Sequence, residues 1–165
     1  MTKGADTMFR PMRRFKQALS EEECLEVLKE GKRGTLALAG DDGYPYALPI
    51  NYYFDPDSRR IYFHGAGEGH KIDAIQRCDK VSFCVHDNGV KLEGDWAYTV
   101  RSVILFGRLH ILEERERGMG LLRKIGLKYY PTEAEVDDVM TRAASRVTML
   151  ELVPEHMTGK RVHEK

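Results

Sequence analysis

The sequence predicts a single mainly-β domain, a small antiparallel barrel of about six strands with helices at its periphery. Three observations lead there. Residues 44–54 alternate apolar and mixed positions with a period of two, the signature of a half-buried strand. The elements run in the order helix, three strands, helix, two strands, helices, strand, which is not the regular strand–helix alternation of a doubly wound sheet. At 165 residues the chain suits one domain with a substantial core and is too short for two ordinary ones.

Residues 1–19 read as a solvated arm carrying Arg10, Arg13, Arg14 and Lys16. Ser20-Glu21-Glu22-Glu23 is a capping box, in which the Ser20 hydroxyl accepts from the Glu23 N–H and the Glu23 carboxylate reaches back. A helix therefore runs from there to about Glu30, where Gly31 stops it. Thr35–Ala39 is a strand, and Gly40-Asp41-Asp42-Gly43 is the hairpin turn after it, rich in residues that tolerate positive φ. The next strand places Tyr44, Tyr46, Leu48, Ile50, Tyr52 and Phe54 on a core face, and Pro45, Ala47, Pro49, Asn51 and Tyr53 on the other. Pro45 and Pro49 have no N–H to donate, which predicts an edge or bulged strand with backbone groups left for a ligand. Asn51 on that face can hydrogen-bond a polar ring edge.

A turn at Asp55–Ser58 leads to a strand at Ile61–His64, a loop at Gly65–Gly69 and a short helix from His70 to Arg77. Val81–Val85 is a strand, Asp87–Asp95 a polar loop, and Trp96–Leu112 one long strand bent at Gly107. Helices follow over Glu114–Lys128, despite three glycines, and from Pro131-Thr132 to near Ala144. Val147–Val153 is the last strand, and residues 154–165 read as a polar tail.

Composition excludes several functions. With 26 basic and 26 acidic residues there is no net field to attract nucleic acid or an anionic membrane, and no apolar run is long enough to span one. Cys24, Cys78 and Cys84 form no C-x-x-C pair, so reduced thiols in the cytoplasm are expected, and the N-terminus has no signal-peptide core. His64, His70 and His86 match no compact zinc pattern, so no metal is expected. No nucleophile-elbow motif supports serine-hydrolase chemistry.

The segment from Gly65 to Lys71 does carry chemistry. Small residues let backbone N–H groups approach an anion, while a helix N-terminus with an adjacent lysine supplies positive potential. Lysine there is disfavoured by the helix dipole unless an anion is close. The stretch is no G-x-G-x-x-G fingerprint. It reads as a cradle for a phosphorylated cofactor.

Several motifs carry a resemblance. They are Arg13-Arg14 with Gln17, Gly40 to Tyr46, Leu48-Pro49-Ile50-Asn51-Tyr52, Ile61-Tyr62-Phe63-His64 followed by Gly69-His70-Lys71, Ser102-Val103-Ile104 with Phe106-Gly107, Lys128-Tyr129 before Pro131, and Thr158-Gly159-Lys160. In this order the sequence resembles the flavin-nucleotide-binding split-barrel family around pyridoxamine 5′-phosphate oxidase, and within it the nitroimidazole-resistance-like branch. The resemblance implies a homodimer of split β-barrels with FMN, or FAD, at the subunit interface. It places Leu48, Pro49, Ile50, Asn51 and Tyr52 along the flavin ring. His64, Gly65 and Ala66, with Gly69, His70 and Lys71, would hold the ribityl chain and phosphate, and Ser102 and Val103 would also line the site. It implies an oxidoreductase passing electrons to a small acceptor such as a nitro compound, or alternatively a flavin-binding carrier or sensor without turnover. No catalytic residue is assigned, with His70 a candidate substrate contact. The vitamin substrate of the oxidase itself is not implied: Arg161-Val162-His163 has the spacing of its substrate-recognition residues, but no tryptophan is near. The single tryptophan, Trp96, is expected to pack or to stack on a ligand.

Overall fold

A computed structural model describes residues 8–164, and among these the chain forms eight strands and four α-helices. In chain order these are α1 (Glu21–Glu30), β1 (Arg33–Ala39), β2 (Pro45–Asn51), β3 (Tyr53–Asp55), β4 (Arg60–Gly65), α2 (His70–Arg77), β5 (Lys80–His86), β6 (Val90–Lys91), β7 (Tyr98–Ile111), α3 (Arg115–Tyr129), α4 (Glu133–Ala143) and β8 (Thr148–His163). None of the helices is long and apolar enough to cross a membrane.

All strands pair antiparallel in the order β2-β1-β5-β7-β8-β4-β3, with β6 on the side of β7. One residue, Tyr52, separates β2 from β3, yet those strands are the two ends of the order. A sheet whose opposite edges are joined by a single residue has to curl until they meet. The result is a mostly antiparallel, curled split barrel with peripheral helices, as the sequence predicts.

Alternation along the strands fills the barrel. Leu36, Phe63, Phe83, Val103 and Leu152 are fully buried inside it, and Phe83 lies edge-on to both Tyr52 (5.1 Å) and Phe63 (5.2 Å). Cys24, Val27 and Leu28 of α1 and Ile72, Ala74 and Ile75 of α2 extend the same core. A second cluster, built on Tyr62, Leu121, Leu122, Ile125 and Met149, seats α3 and α4 outside β4 and β8. Glu151 fastens that layer, accepting hydrogen bonds from Arg60 (2.9 Å), the Tyr62 hydroxyl (3.0 Å) and Arg117. Burial alone would raise the Glu151 pKa, but these three donors hold it below the usual carboxylate value.

Local signals gave sound boundaries where both partners of a signal are close in sequence. Ser20 and Glu23 form the capping box of α1, and Thr132 and Glu135 form another that starts α4. The turn between β1 and β2 carries positive φ at Asp42 and Gly43. The long strand changes register between Phe106 and Gly107, because a side chain at Gly107 would come within 2.3 Å of the Val153 carbonyl.

Four expectations are corrected. The polar tail of residues 154–165 is instead the second half of β8, paired to β7 as far as His163. Its polar look comes from a lean inward face, where Gly159 is buried so closely under α1 that a Cβ there would lie 2.3 Å from Cys24 Sγ. The single strand over residues 44–54 is two strands that break at Tyr52, and Tyr44 at its start is exposed rather than core. The polar loop after Asp87 contains β6. Trp96 precedes β7 and is 71% exposed, so it is not packed. Of the basic arm, Arg10, Arg13, Arg14 and Lys16 are exposed, but Phe9 stacks on His156 and Ala18 bridges to Lys160 of β8, while residues 1–7 lie outside the described range.

Candidate functional site

The curled sheet leaves two backbone edges open beside each other. β2 is hydrogen-bonded only to β1, so its other edge is free. β3 pairs with β4 only as far as Tyr53 opposite Tyr62, so His64 and Gly65 keep a partner strand on the β8 side alone. Both open edges diverge from Tyr52. This split is where the backbone can serve a ligand.

The seam at its base is held by two neighbouring residues of α3. The Tyr52 N–H donates to the Tyr129 hydroxyl (2.9 Å), which is also within hydrogen-bonding reach of the Tyr52 carbonyl (2.8 Å) and that of Lys32. Lys128 donates to the carbonyls of Gly31 (2.5 Å) and Tyr52 (3.0 Å) and sits 4.1 Å from the centre of the Tyr52 ring. The Tyr52 hydroxyl donates to the Leu28 carbonyl (2.7 Å), and burial pushes its pKa up. Desolvation, with the charge of Lys32 adding, pulls the Lys128 pKa down to about 8. The sequence motif Lys128-Tyr129 before Pro131 marks this clasp, but nothing in its spacing reveals that it grips a strand break.

At the mouth stands the loop from Gly65 to Lys71. Gly69 is the N-cap of α2 with φ 107°, and no side chain caps the helix there. Lys71 Nζ lies 2.8 Å from the point a Cβ on Gly65 would occupy, so a side chain there would push the end of the lysine aside. Among the described residues Lys71 has no hydrogen-bond or ion-pair partner, and desolvation lowers its pKa. The His64 pKa is lowered as well, first by desolvation and then by the Lys71 charge. Both shifts have one leading cause, the desolvation penalty on the charged form. An anion placed between Lys71 and the start of α2 would relieve it, so the donor set fits a phosphate.

The other residues singled out by sequence divide by face. Pro49 is exposed and Asn51 half-exposed, the latter accepting from Arg33 Nε (3.0 Å), while Leu48 and Ile50 are half-buried against the core. Ala66 is exposed on the loop. The His70 ring stacks on Tyr46 at 4.0 Å with Nε2 3.5 Å from Asp41, so the turn after β1 orients it. Tyr52 and Val103 are both fully buried, and their side chains belong to the barrel core. Ser102 faces outward between His86 and Lys160 on the neighbouring strands, but β1 and β5 lie between β7 and β2, so one chain does not bring it to the split. His86 is likewise remote from the loop, with Nδ1 2.8 Å from the Asp87 carbonyl. Among the described residues no group of three or more His, Cys, Asp or Glu is arranged to hold a metal.

With this geometry the comparisons become informative. Residues 20–161 match the sequence profile of the family described as pyridoxamine 5′-phosphate oxidase. The chain belongs to this family. Solved structures share the oxidase-family fold. A candidate 5-nitroimidazole antibiotic resistance protein from Bacteroides thetaiotaomicron is 19% identical over 89% of this chain and 87% of its own, with a TM-score of 0.72. An FAD-binding protein from Mesorhizobium loti is 23% identical over 88% and 97%, with a TM-score of 0.64. An FAD-binding protein from Mycobacterium smegmatis is 20% identical over 90% and 99%, with a TM-score of 0.65. No curated protein sequence matches significantly.

The clasp gives a pH signature. The Lys128 pKa is depressed in the folded protein, so between pH 8 and the ordinary value of 10.5 the unfolded chain binds more protons, and this residue's contribution to stability rises with pH. The raised pKa of Tyr129 works the other way above the ordinary tyrosine value of 10. Urea midpoints of wild type and Lys128→Met from about pH 7 to pH 10 isolate the lysine. The wild type should gain on the variant as pH rises; a flat or falling difference would mean that the two carbonyls stabilise the ammonium more than burial disfavours it.

Proposed function

We propose that the chain binds a flavin nucleotide, FMN or FAD, in the split between β2 and the β4–α2 loop, and passes electrons through it to a small acceptor such as a nitro compound. The observation that carries this reading is Lys71, a half-buried cation with no partner among the described residues, set over Gly65 beside a helix start without a side-chain cap. Membership of the oxidase family and the FAD-binding names of two similar structures support it.

The bound flavin supplies the redox chemistry, and the protein binds and orients it. Lys71 and the first N–H groups of α2 take the phosphate. The open edge of β2, with Pro49 and Asn51, borders the ring. His70, held by Tyr46 and Asp41, stands ready to contact a substrate.

A second copy completes this picture. On the outward face of the sheet, small or apolar residues meet across strands in two rows, Ala47-Ala37-Ser82-Phe106 and Pro49-Thr35-Cys84-Ile104. Ile104 and Phe106 are 39% and 41% exposed there. Such a face suits a homodimer, and packing against it is what would carry Ser102 toward another chain's split. The free thiols of Cys24, Cys78 and Cys84 favour a reducing compartment, the cytoplasm.

Purified protein should show a flavin absorbance spectrum, with FMN or FAD in the mass spectrum of the released chromophore; a colourless protein that also refuses added FMN and FAD would falsify the central claim. Lys71→Ala should weaken FMN about 10- to 100-fold and riboflavin little, since only FMN offers a phosphate to the ammonium. Equal losses would remove Lys71 from the phosphate. Flavin-loaded protein should oxidise NAD(P)H faster when a nitroaromatic acceptor is added, whereas no turnover with a panel of donors would leave a carrier or sensor. Sedimentation should give a dimer that Phe106→Arg dissociates, and a wild-type monomer would defeat the dimer proposal.

A further inference from the structure

The helical layer over β4 and β8 contains a cavity with no lining residue from β2 or from the Gly65–Lys71 stretch. α3 and α4 meet closely where Gly126 admits Val136, for a Cβ at Gly126 would lie 2.8 Å from Val136 Cγ1. Arg123 pins this end of α4 by pairing with Glu133 (3.4 Å) and Asp137. Val136 is the one fully buried residue of α4. One turn further on, Val139, Met140 and Ala143 are only half-buried and border an open space, Met140 also packing against the cluster under α3. That space has a volume of about 150 Å³, is lined by Leu122 and Ile125 on the α3 side, and opens toward solvent where His64 and Tyr130 border it.

Size and chemistry narrow what the cavity can hold. A space of about this volume accommodates a single benzene ring. Among the lining side chains only His64 and Tyr130 carry nitrogen or oxygen. The His64 side chain makes no hydrogen bond among the described residues, and a neutral imidazole offers one donor and one acceptor.

We propose that this cavity is a binding site for a monocyclic aromatic molecule bearing one small polar group, the ring held between α3 and α4 and the polar group hydrogen-bonded to His64. The site stands on the cavity and its lining alone and does not require that the flavin reading be correct. It abuts the split all the same, because Gly65, the residue after His64, lies beside the Lys71 ammonium.

Phenol and benzene are the probes, added to the full chain and followed by methyl and histidine NMR. Phenol should shift the methyl signals of Val139, Ala143 and Ile125 and the ring signals of His64 together and saturably, in the millimolar range expected of so small a ligand. Benzene should bind about 2- to 10-fold more weakly, for lack of the hydrogen bond. Ala143→Phe should abolish the shifts, while Ala134→Phe on the exposed side of α4 should leave them. If Ala143→Phe does not fold, nuclear Overhauser contacts from phenol to the Val139 and Ala143 methyls of the wild type decide in its place. No saturable shift, equal affinity for the two probes, shifts that survive in folded Ala143→Phe, or phenol contacts elsewhere would each overturn the proposal.

Discussion

One residue ties together the two ends of a sheet. Tyr52 leaves β2, which bonds to β1, and enters β3, which bonds to β4, so its own N–H and C=O belong to neither ladder. Buried backbone groups need partners, and α3 provides them through Tyr129 and Lys128. The curl of the sheet, the docking of α3 and the opening of the split are one solution to that requirement. Closing the ladder past Tyr52 would satisfy the backbone without help, but it would also erase the open edges of β2 and β4.

Electrostatics in the split follow from the same geometry. Lys71 and His64 stand where the wall has ended, and desolvation lowers the pKa of both. Lys128 is shifted in the same direction but is fully engaged by carbonyls and an aromatic face. The contrast separates a cation committed to the fold from one without a partner among the described residues. A lowered lysine pKa alone would not make that distinction; the partners do.

Much of this was legible in sequence, and the limits have physical causes. Capping boxes were readable because both partners lie within one turn of each other, and the edge position of β2 because Pro45 and Pro49 cannot donate to a ladder. The stretch from Gly65 to Lys71 could be singled out because glycine and lysine at a helix start are a local pattern. Runs of adjacent residues were a poor guide to a ligand wall, since a strand turns successive side chains to opposite faces: Ser102 looks out and Val103 is sealed inside. The break at Tyr52 and the extension of β8 are tertiary facts. One depends on a helix 77 residues away in sequence, the other on a buried glycine under α1.

The strand order also has a consequence for how the protein comes into being. β3 and β4 are made early, yet their only ladder to the rest of the sheet runs through β8, the last strand of the described chain. Pairing such as Phe63 with Leu150 must wait until β8 has been made, and such distant contacts are the slow kind to form. One wall of the split therefore has no sheet to stand in until β8 leaves the ribosome. Whatever the split receives, it receives only after that strand is in place.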